Sequence, residues 1–269
     1  MKKLTVKILY YYRIFGKLIC FFIFGVGSFF LASIFFPVII ALTLLSPRLF
    51  QKTARRTVSF TFSIFIKMMI LLRLVTFKVH HRERLNDIRA KIIIANHPSL
   101  LDVVMLISLI PNADCLVKSS LGGANILRGI VRRLYIPNSL NFQDVIEGCI
   151  HSLNQGNCFI IFPEGTRTRP GKPFDLKKGA ARIALAAEKD IIPIYFGGNE
   201  KIGLRKFDKL LSFHPTERYH YILSVLEPVS IAAYEDIPAH KAAALLTDQF
   251  EEIFTREREK ERAQSKNAE

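Results

Sequence analysis

The sequence predicts an α/β fold, in which a largely parallel sheet is flanked by helices and preceded by an N-terminal membrane-associated helical segment. Two observations carry this prediction. From about residue 91, short apolar runs alternate with helical patterns, which is typical of an α/β domain. Before that point, residues 18–46 form a run without a single charged side chain, and about 20 such residues can span a bilayer.

Charge divides the chain in the same way as hydropathy. Residues 1–90 hold 15 Lys and Arg but 2 Asp and Glu, whereas residues 91–269 hold 23 and 21. The basic excess therefore lies beside the longest apolar run, where anionic lipid head groups are its expected partners. We assign residues 1–84 to the membrane-associated helical segment, 85–238 to the α/β domain, and 239–269 to a C-terminal helix and polar tail.

Two apolar stretches make up the N-terminal segment. Residues 18–46 are too long for the apolar region of a signal peptide, which is about 7–15 residues, and Pro37 is expected to kink or break a helix there. Residues 58–79 contain Lys67 and Arg73, so they predict either a weaker span or an interfacial segment. Both flanks of 18–46 are basic, which leaves a crossing and a helical hairpin in one leaflet equally open.

The α/β part begins with a buried strand, and its elements follow in a regular alternation. The predicted strands are 91–95, 113–118, 157–162, 191–196 and 219–226. The predicted helices are 102–110, 141–156, 177–190 and 239–262.

Composition argues against several classes of function. The basic charge lies beside apolar helices rather than on polar surfaces, so we predict no nucleic-acid partner. The histidines do not pair with acidic residues at metal-ligand spacing, so we predict no metal site. No P-loop sequence is present. The four cysteines lie in or beside apolar stretches and are expected to be buried thiols.

The first candidate motif runs from Asn96 to Asp102, directly after the strand 91–95. Pro98 disfavours helix at His97, so the imidazole is expected in a loop at the carboxyl end of a strand. Asp102 is close enough to accept one imidazole N–H, which leaves the other nitrogen free to take a proton from a hydroxyl. The alternative is a polar loop in which Asp102 only caps the next helix.

The second candidate motif follows the strand 157–162 and reads Phe-Pro-Glu-Gly-Thr-Arg-Thr-Arg from residue 162. Gly165 permits a tight turn. Glu164 can accept hydrogen bonds from acceptor hydroxyls, and Arg167 offers a rigid fork for a phosphate. We also include Gly165, Thr166 and Asn96 among the candidate substrate-binding residues. The alternative is a surface turn with an ion pair.

Together, the Asn-His-x4-Asp and Phe-Pro-Glu-Gly-Thr-Arg motifs resemble those of the lysophospholipid and glycerol-phosphate acyltransferase family. The apolar strand around Pro193 is a weaker third match, and the resemblance covers about residues 85–230. It implies O-acylation with acyl-CoA or acyl-carrier protein as donor substrate and no bound cofactor. It also implies that His97 is the general base, Asp102 its orienting partner, and Glu164 and Arg167 acceptor-binding residues.

One departure from the family concerns the acceptor phosphate. The family usually has an arginine where this sequence has Asn138 or Ser139, so a simple glycerol phosphate is expected to be a poor acceptor. Lys118, at the end of a predicted strand, is a candidate minor phosphate contact, and a solvated strand end is the alternative.

The overall expectation is a membrane-attached enzyme that uses membrane lipids and has its catalytic domain on the cytoplasmic face. Two other functions stay open. A hydrolase or thioesterase would use the same His97–Asp102 pair with water as acceptor. A non-enzymatic lipid-binding protein on a degenerate fold is opposed by the four intact motif residues. No Gly-x-Ser-x-Gly nucleophile elbow is present, which argues against a serine hydrolase.

Overall fold

The computed structural model of this chain describes residues 2–43, 46–117, 135–137 and 141–266. Within these ranges, short strands and helices follow one another from residue 92 onward largely as predicted, although the strands Ile191–Gly197 and Tyr219–Val225 are consecutive. The α-helices are α1 Lys2–Phe30, α2 Phe36–Leu42, α3 Pro47–Leu71, α4 Asp102–Leu109, α5 Phe142–Asn154, α6 Gly179–Ala187 and α7 Ala239–Lys266. Two 3₁₀ turns cover Arg82–Leu85 and Ala232–Tyr234.

The described strands form one sheet in the order β1-β7-β6-β2-β5-β3-β4. Five of its ladders are parallel and the β6–β7 ladder is antiparallel, which confirms the largely parallel sheet. The strands are β1 Val75–His80, β2 Ile92–Ala95, β3 Ala113–Val117, β4 Ile136–Pro137, β5 Cys158–Ile161, β6 Ile191–Gly197 and β7 Tyr219–Val225.

The centre of the sheet is covered on both faces. Every residue of β2, β5 and β6 is buried, which is why these strands appear as continuous apolar runs rather than as alternating patterns. Alternate side chains of β2 enter two different hydrophobic clusters: Ile93 packs with residues of α3 and α4, whereas Ile92 and Ile94 pack with residues of α5, α6 and α7. The helices thus form one layer on each side of the sheet.

Residues 2–42 form a nearly continuous helix. A π-helical stretch, Leu31–Phe35, separates α1 from α2, and Pro37 lies at the start of α2. The proline has no N–H to donate to the preceding turn, and a π-bulge is one of the ways a helix accommodates such a gap. Among the described residues, Leu4–Leu42 is the one stretch long and apolar enough to cross a membrane, with a mean hydropathy of 2.4 over its most apolar 18 residues. This apolar helix gives weak support for membrane association.

The stretch 58–79, which the sequence analysis treated as one weaker span or interfacial segment, does not form a single element. It contains the second half of α3, a turn, and strand β1, which pairs in parallel with β7 from Val75 to His80. The sheet therefore begins inside residues 1–84. Strand β1 was not predicted from the sequence because Leu74 and Val75 extend the apolar run of α3 beyond the single charged residue Arg73, so the two elements look like one stretch.

Helix α3 is attached to the sheet by a buried ion pair. The guanidinium of Arg55 donates two hydrogen bonds to Asp114 of β3, with Nε–Oδ1 and Nη2–Oδ2 distances of 2.6 and 2.8 Å. Both side chains are buried, and Ser152 of α5 also donates to Asp114. A bidentate pair of this kind holds the helix at a defined position on the sheet.

Candidate active site

The two sequence motifs meet at one edge of the sheet. Strands β2 and β5 are parallel neighbours, with Ile94 paired to Ile161 near their carboxyl ends. The chain leaves these two strands at Asn96 and Phe162. Loops at the carboxyl ends of adjacent parallel strands lie side by side, and this edge is where open α/β sheets place their sites.

His97 and Asp102 form a hydrogen-bonded pair. The Nδ1 atom of His97 lies 2.8 Å from Oδ2 of Asp102. Asp102 is completely buried, and the imidazole is about one-fifth exposed. Because a carboxylate can only accept, the hydrogen bond places the proton on Nδ1 and leaves the lone pair on Nε2. No hydrogen-bond partner of Nε2 is found among the residues that the structure describes.

Asp102 itself is held by the loop that precedes it. Its carboxylate accepts the backbone N–H of Ser99 at 2.7 Å and the hydroxyl of Ser99. The Ser99 hydroxyl lies 2.6 Å from the hydroxyl of Tyr221 on β7, and burial raises the pKa of that tyrosine well above its usual value. Asp102 is the first residue of α4, whose N-cap, Leu101, makes no side-chain capping bond. The carboxylate thus contacts the imidazole, which is the geometry that an orienting partner requires.

The imidazole is also fixed from the side of the second motif. The ring of Phe162 stacks on it, with centroids 4.2 Å apart. The backbone N–H of His97 contacts both Oγ1 of Thr168, at 2.8 Å, and Oε1 of Glu164, at 3.2 Å. The N–H of Thr168 in turn donates to the carbonyl of His97 at 2.7 Å. The two loops therefore form one rigid unit.

Glu164 is at the centre of this unit. Its carboxylate is buried and accepts hydrogen bonds from the Thr168 hydroxyl and the His97 N–H. Burial raises the pKa of Glu164, although these two hydrogen bonds oppose the shift. In this structure the side chain joins the two motifs. Its predicted contact with an acceptor hydroxyl stays a prediction.

The other predicted residues of the second motif line the turn. Gly165 has a φ of +64°, which favours glycine, and its N–H closes the turn onto the carbonyl of Phe162. Thr166 is half-buried beside it. The guanidinium of Arg167 donates through Nη1 to the carbonyl of Leu204 at 3.1 Å. The acceptor-binding roles of these three residues stay predictions.

Asn96 connects the motif loop to strand β6. Its side-chain oxygen accepts the N–H of Phe196 at 2.7 Å, and its amide donates to the carbonyl of the same residue at 3.0 Å. The buried side chain therefore positions the strand end in this structure, and its predicted substrate contact stays untested. Lys118, Asn138 and Ser139 lie outside the described residues, and so do the phosphate contacts predicted or questioned there.

Sequence reasoning missed four residues of the site. Thr168 connects the two motifs by hydrogen bonds, whereas Ser99 and Tyr221 support Asp102 of the first motif. A buried lysine, Lys201, lies 4.5 Å from the centroid of the Tyr221 ring. The Lys201 ammonium donates to the carbonyls of Gly197, Asn199 and His220, and burial lowers its pKa to about 8. Thr168 and Ser99 belong to the quoted motifs and could have been found there, whereas Tyr221 and Lys201 come from distant parts of the chain.

A cavity of about 620 Å³ opens beside the site, where Asn96, Pro98 and Thr168 form part of its wall. Its rim is rich in basic side chains. Those within the described residues are Arg169, Lys201, Arg205, Arg258 and Arg262, and the acidic ones are Glu200 and Glu261. Such a cavity has the charge to attract a phosphate-bearing substrate.

Comparison with known proteins agrees with this site. The Acyltransferase family profile matches residues 76–197, which contain both motifs. Residues 76–197, a little less than half of the chain, are thus similar to the acyltransferase domain of this family. The resemblance predicted from the two motifs is thereby confirmed, and the match starts inside β1, the strand that the sequence analysis assigned to the membrane segment.

Curated relatives of the acyltransferase domain carry the name 1-acyl-sn-glycerol-3-phosphate acyltransferase. The chloroplastic LPAT1 of Arabidopsis thaliana is 31% identical over 115 residues, which cover 40% of this chain and 32% of LPAT1. The Helicobacter pylori enzyme is 31% identical over 43% of this chain and 52% of its own length. The human beta enzyme is 25% identical over 61% and 60%, respectively. The chain thus spans about a third to three-fifths of the length of these relatives.

One solved structure shares the fold of nearly the whole chain. It is the crystal structure of the 1-acyl-sn-glycerophosphate (LPA) acyltransferase PlsC from Thermotoga maritima, with a TM-score of 0.67. The likeness covers 92% of this chain and 96% of PlsC at 21% sequence identity. It shows that the acyltransferase domain and the helices before it follow the fold of that protein.

Proposed function

We propose that this protein is a membrane-attached O-acyltransferase that moves a fatty acyl group from acyl-CoA or acyl-carrier protein to a hydroxyl of a lysophospholipid-like acceptor. The observation that carries the proposal is the His97–Asp102 pair, with Nδ1 hydrogen-bonded to a buried carboxylate and Nε2 left to act on a substrate. The pair lies inside the segment matched by the acyltransferase family.

The proposed reaction is a direct transfer. Nε2 of His97 takes the proton of the acceptor hydroxyl while the hydroxyl oxygen attacks the thioester carbonyl carbon. A carbon–oxygen bond forms, the carbon–sulfur bond breaks, and the thiolate leaves with the proton from His97. Asp102 keeps the imidazole in the required tautomer and stabilises its transient positive charge. No covalent acyl-enzyme is needed, because the acceptor oxygen attacks the thioester directly.

The acceptor is the least defined part of the proposal. The names of the relatives favour 1-acyl-glycerol-3-phosphate as the first acceptor to test, and the basic cavity beside Thr168 agrees with a phosphate-bearing substrate. The replacement of the usual phosphate-binding arginine by Asn138 or Ser139 predicts weak use of that acceptor. A lysophospholipid with a larger head group is the alternative to compare with it.

Membrane attachment is supported by the apolar helix and the charge distribution, and the proposed reaction favours the cytoplasmic side. Leu4–Leu42 presents many exposed apolar side chains, among them Phe15, Phe22 and Phe29. The thioester donors of such a reaction are soluble, whereas the acceptor is a membrane lipid. We therefore infer that the site faces the cytoplasm at the inner leaflet.

The test is an acyl-transfer assay on the purified full chain in detergent, with acyl-CoA or acyl-carrier protein as donor. The acceptors are lysophosphatidate and a lysophospholipid with a larger head group, and the products are identified by mass spectrometry. Diacylated product from the wild type, lost in His97→Ala, supports transfer. Release of free fatty acid without diacylated product would establish the hydrolase instead. Turnover by His97→Ala at the wild-type rate would eliminate His97 as the base.

A further inference from the structure

We propose that residues 204–211, here called the apolar loop, form a second membrane contact that inserts into an anionic lipid surface and joins the acyl-transfer site to the bilayer. The inference rests on the membrane attachment proposed above, and it assigns a function to a segment outside both sequence motifs. The apolar loop lies between strands β6 and β7.

The apolar loop exposes three large apolar side chains within five residues. Phe207 is 89% exposed, Leu211 63% and Leu210 56%. Phe207 also has a φ of +72°, a strained backbone conformation for a bulky residue. Phe207 buries almost none of its surface within the chain, and clusters of exposed apolar residues mark surfaces that contact a partner.

The conformation of the apolar loop is fixed from inside by Asp208. Its carboxylate accepts the N–H of Gly203 at 2.7 Å and the guanidinium Nε of Arg205 at 2.9 Å. Burial opposes the ionised form, but the hydrogen bonds of Arg205 and Gly203 outweigh it and lower the pKa of Asp208. The charged carboxylate therefore fixes the loop in the conformation in which Phe207, Leu210 and Leu211 project from the protein.

The base of the apolar loop is attached to the membrane-associated helix. Lys17 of α1 is fully buried, and its ammonium donates to the carbonyls of Ser212, at 2.6 Å, and Gly203, at 3.4 Å. Both carbonyls flank the apolar loop. On either side of Lys17, α1 exposes Phe15 and Phe22. The loop thus starts and ends against α1, and the opposite face of this helix carries the exposed Phe15 and Phe22. We infer that one bilayer contacts both this helix and the apolar loop.

The charges around the apolar tip suit an anionic lipid surface. Lys206 and Lys209 are exposed, and the Lys206 ammonium lies 5.0 Å from the centroid of the Phe207 ring. Basic residues beside exposed apolar ones are typical of segments that bind the interface of anionic membranes. The acidic residue of the loop, Asp208, is paired with Arg205 and does not offset these lysines.

The same loop contacts the candidate active site. The carbonyl of Leu204 accepts the guanidinium Nη1 of Arg167 and the N–H of Leu100, each at 3.1 Å. Leu100 lies in the His97 loop, and Arg167 belongs to the second motif. Leu204, the first residue of the apolar loop, therefore contacts both motifs. A lipid surface that binds this loop would lie close to the site, where a membrane-resident acceptor can reach it.

The experiment uses the full chain in vesicles of phosphatidylglycerol and phosphatidylcholine. The four described cysteines are buried, so an exposed cysteine introduced by Leu210→Cys can be labelled selectively with an environment-sensitive fluorophore. Phe22→Cys on α1 reports membrane attachment itself, and Ala186→Cys, exposed near the amino edge of the sheet, reports water. Quencher groups are placed on the lipid acyl chains.

We expect a blue shift and lipid quenching at positions 22 and 210 and neither at 186. Quenching at 22 with a water-like signal at 210 would overturn the apolar-loop proposal and leave membrane attachment standing. Water-like signals at both positions would overturn both. As a second measurement, the double variant Phe207→Ser/Leu211→Ser should lose turnover of an acceptor in vesicles and keep turnover of a detergent-dispersed acceptor. Equal turnover in vesicles to that of the wild type would contradict the proposal.

Discussion

At the scale of single residues, the site is a short chain of hydrogen bonds in which each member restricts the next. Tyr221 contacts Ser99, Ser99 donates to Asp102, and Asp102 accepts from His97. Because Asp102 and Tyr221 are buried, their geometry is set by packing as well as by hydrogen bonds. The imidazole is thus oriented before any substrate binds.

Replacing Asp102 by asparagine tests this orientation. The neutral amide cannot stabilise an imidazolium and no longer selects the tautomer with a proton on Nδ1. We expect kcat for acyl transfer to fall by about 10²–10⁴, the usual contribution of general-base catalysis. Kinetics of the purified variant, with thermal unfolding as a check of the fold, give the result. An unchanged kcat would return Asp102 to the helix-cap interpretation.

The buried Lys201 is expected to make the free energy of unfolding depend on pH. Burial lowers its pKa to about 8, compared with an ordinary 10.5 in the unfolded chain. Between these values the unfolded chain binds more protons than the folded one, so the free energy of unfolding rises with pH. A shift of this size corresponds to about 3 kcal/mol across the whole window.

The matched comparison is Lys201→Met, which removes the titrating group. Denaturant unfolding of both proteins at pH 7.5 and at pH 10 should show that the wild type gains stability relative to the variant as pH rises. The variant is expected to be less stable at each pH, since three backbone carbonyls lose their donor. A difference that does not change with pH would mean that Lys201 keeps its proton throughout.

At the scale of elements, helix α3 depends on its buried ion pair with β3. Arg55→Met would leave the buried carboxylate of Asp114 without its guanidinium. Loss of one partner of a buried pair typically costs about 3–5 kcal/mol, because the remaining charge is desolvated and unpaired. We expect the free energy of unfolding to fall by this amount, measured by denaturant unfolding in detergent.

A second variant separates the pair from the rest of the contact. Arg55→Met/Asp114→Leu removes both charges and should recover much of the lost stability, since burying two apolar side chains avoids the unpaired charge. A double variant that is as unstable as the single one would show that Arg55 acts through packing rather than through its charge.

At the scale of the whole molecule, the predicted attachment is integral. Apolar burial of Leu4–Leu42 does not depend on ionic strength, whereas salt screens the contribution of the basic residues. We expect the full chain to stay in the membrane fraction after washes with high salt and with alkaline carbonate. Release by salt alone would contradict integral attachment.

A truncation tests whether helix α1 stabilises the fold in addition to attaching the chain to the membrane. Deleting residues 1–46 removes Lys17, which is buried against the carbonyls of Gly203 and Ser212. The truncated chain is therefore expected to bind membranes less firmly and also to be less stable in detergent than the full chain. Comparison of thermal unfolding with membrane partition distinguishes the two effects.

The sequence by itself determined the elements that depend on local pattern. The buried strands Ile92–Ala95 and Cys158–Ile161, the helices around them and the two motifs at strand ends follow from apolar runs bounded by polar loops. The same reasoning brought His97, Asp102, Glu164 and Arg167 to one edge of the sheet, because neighbouring parallel strands end together. It could also identify 18–46 as apolar enough for a membrane.

The tertiary structure alone decided what depends on distant contacts. Strand β1 is a strand because β7 pairs with it about 144 positions later, whereas locally it continues an apolar helix. Tyr221 and Lys201 reach the site through the fold, and Lys17 is buried only because the base of the apolar loop supplies its acceptors. Local sequence sets the propensity of an element, but the partner that satisfies a buried polar group is set by packing between elements far apart in the chain.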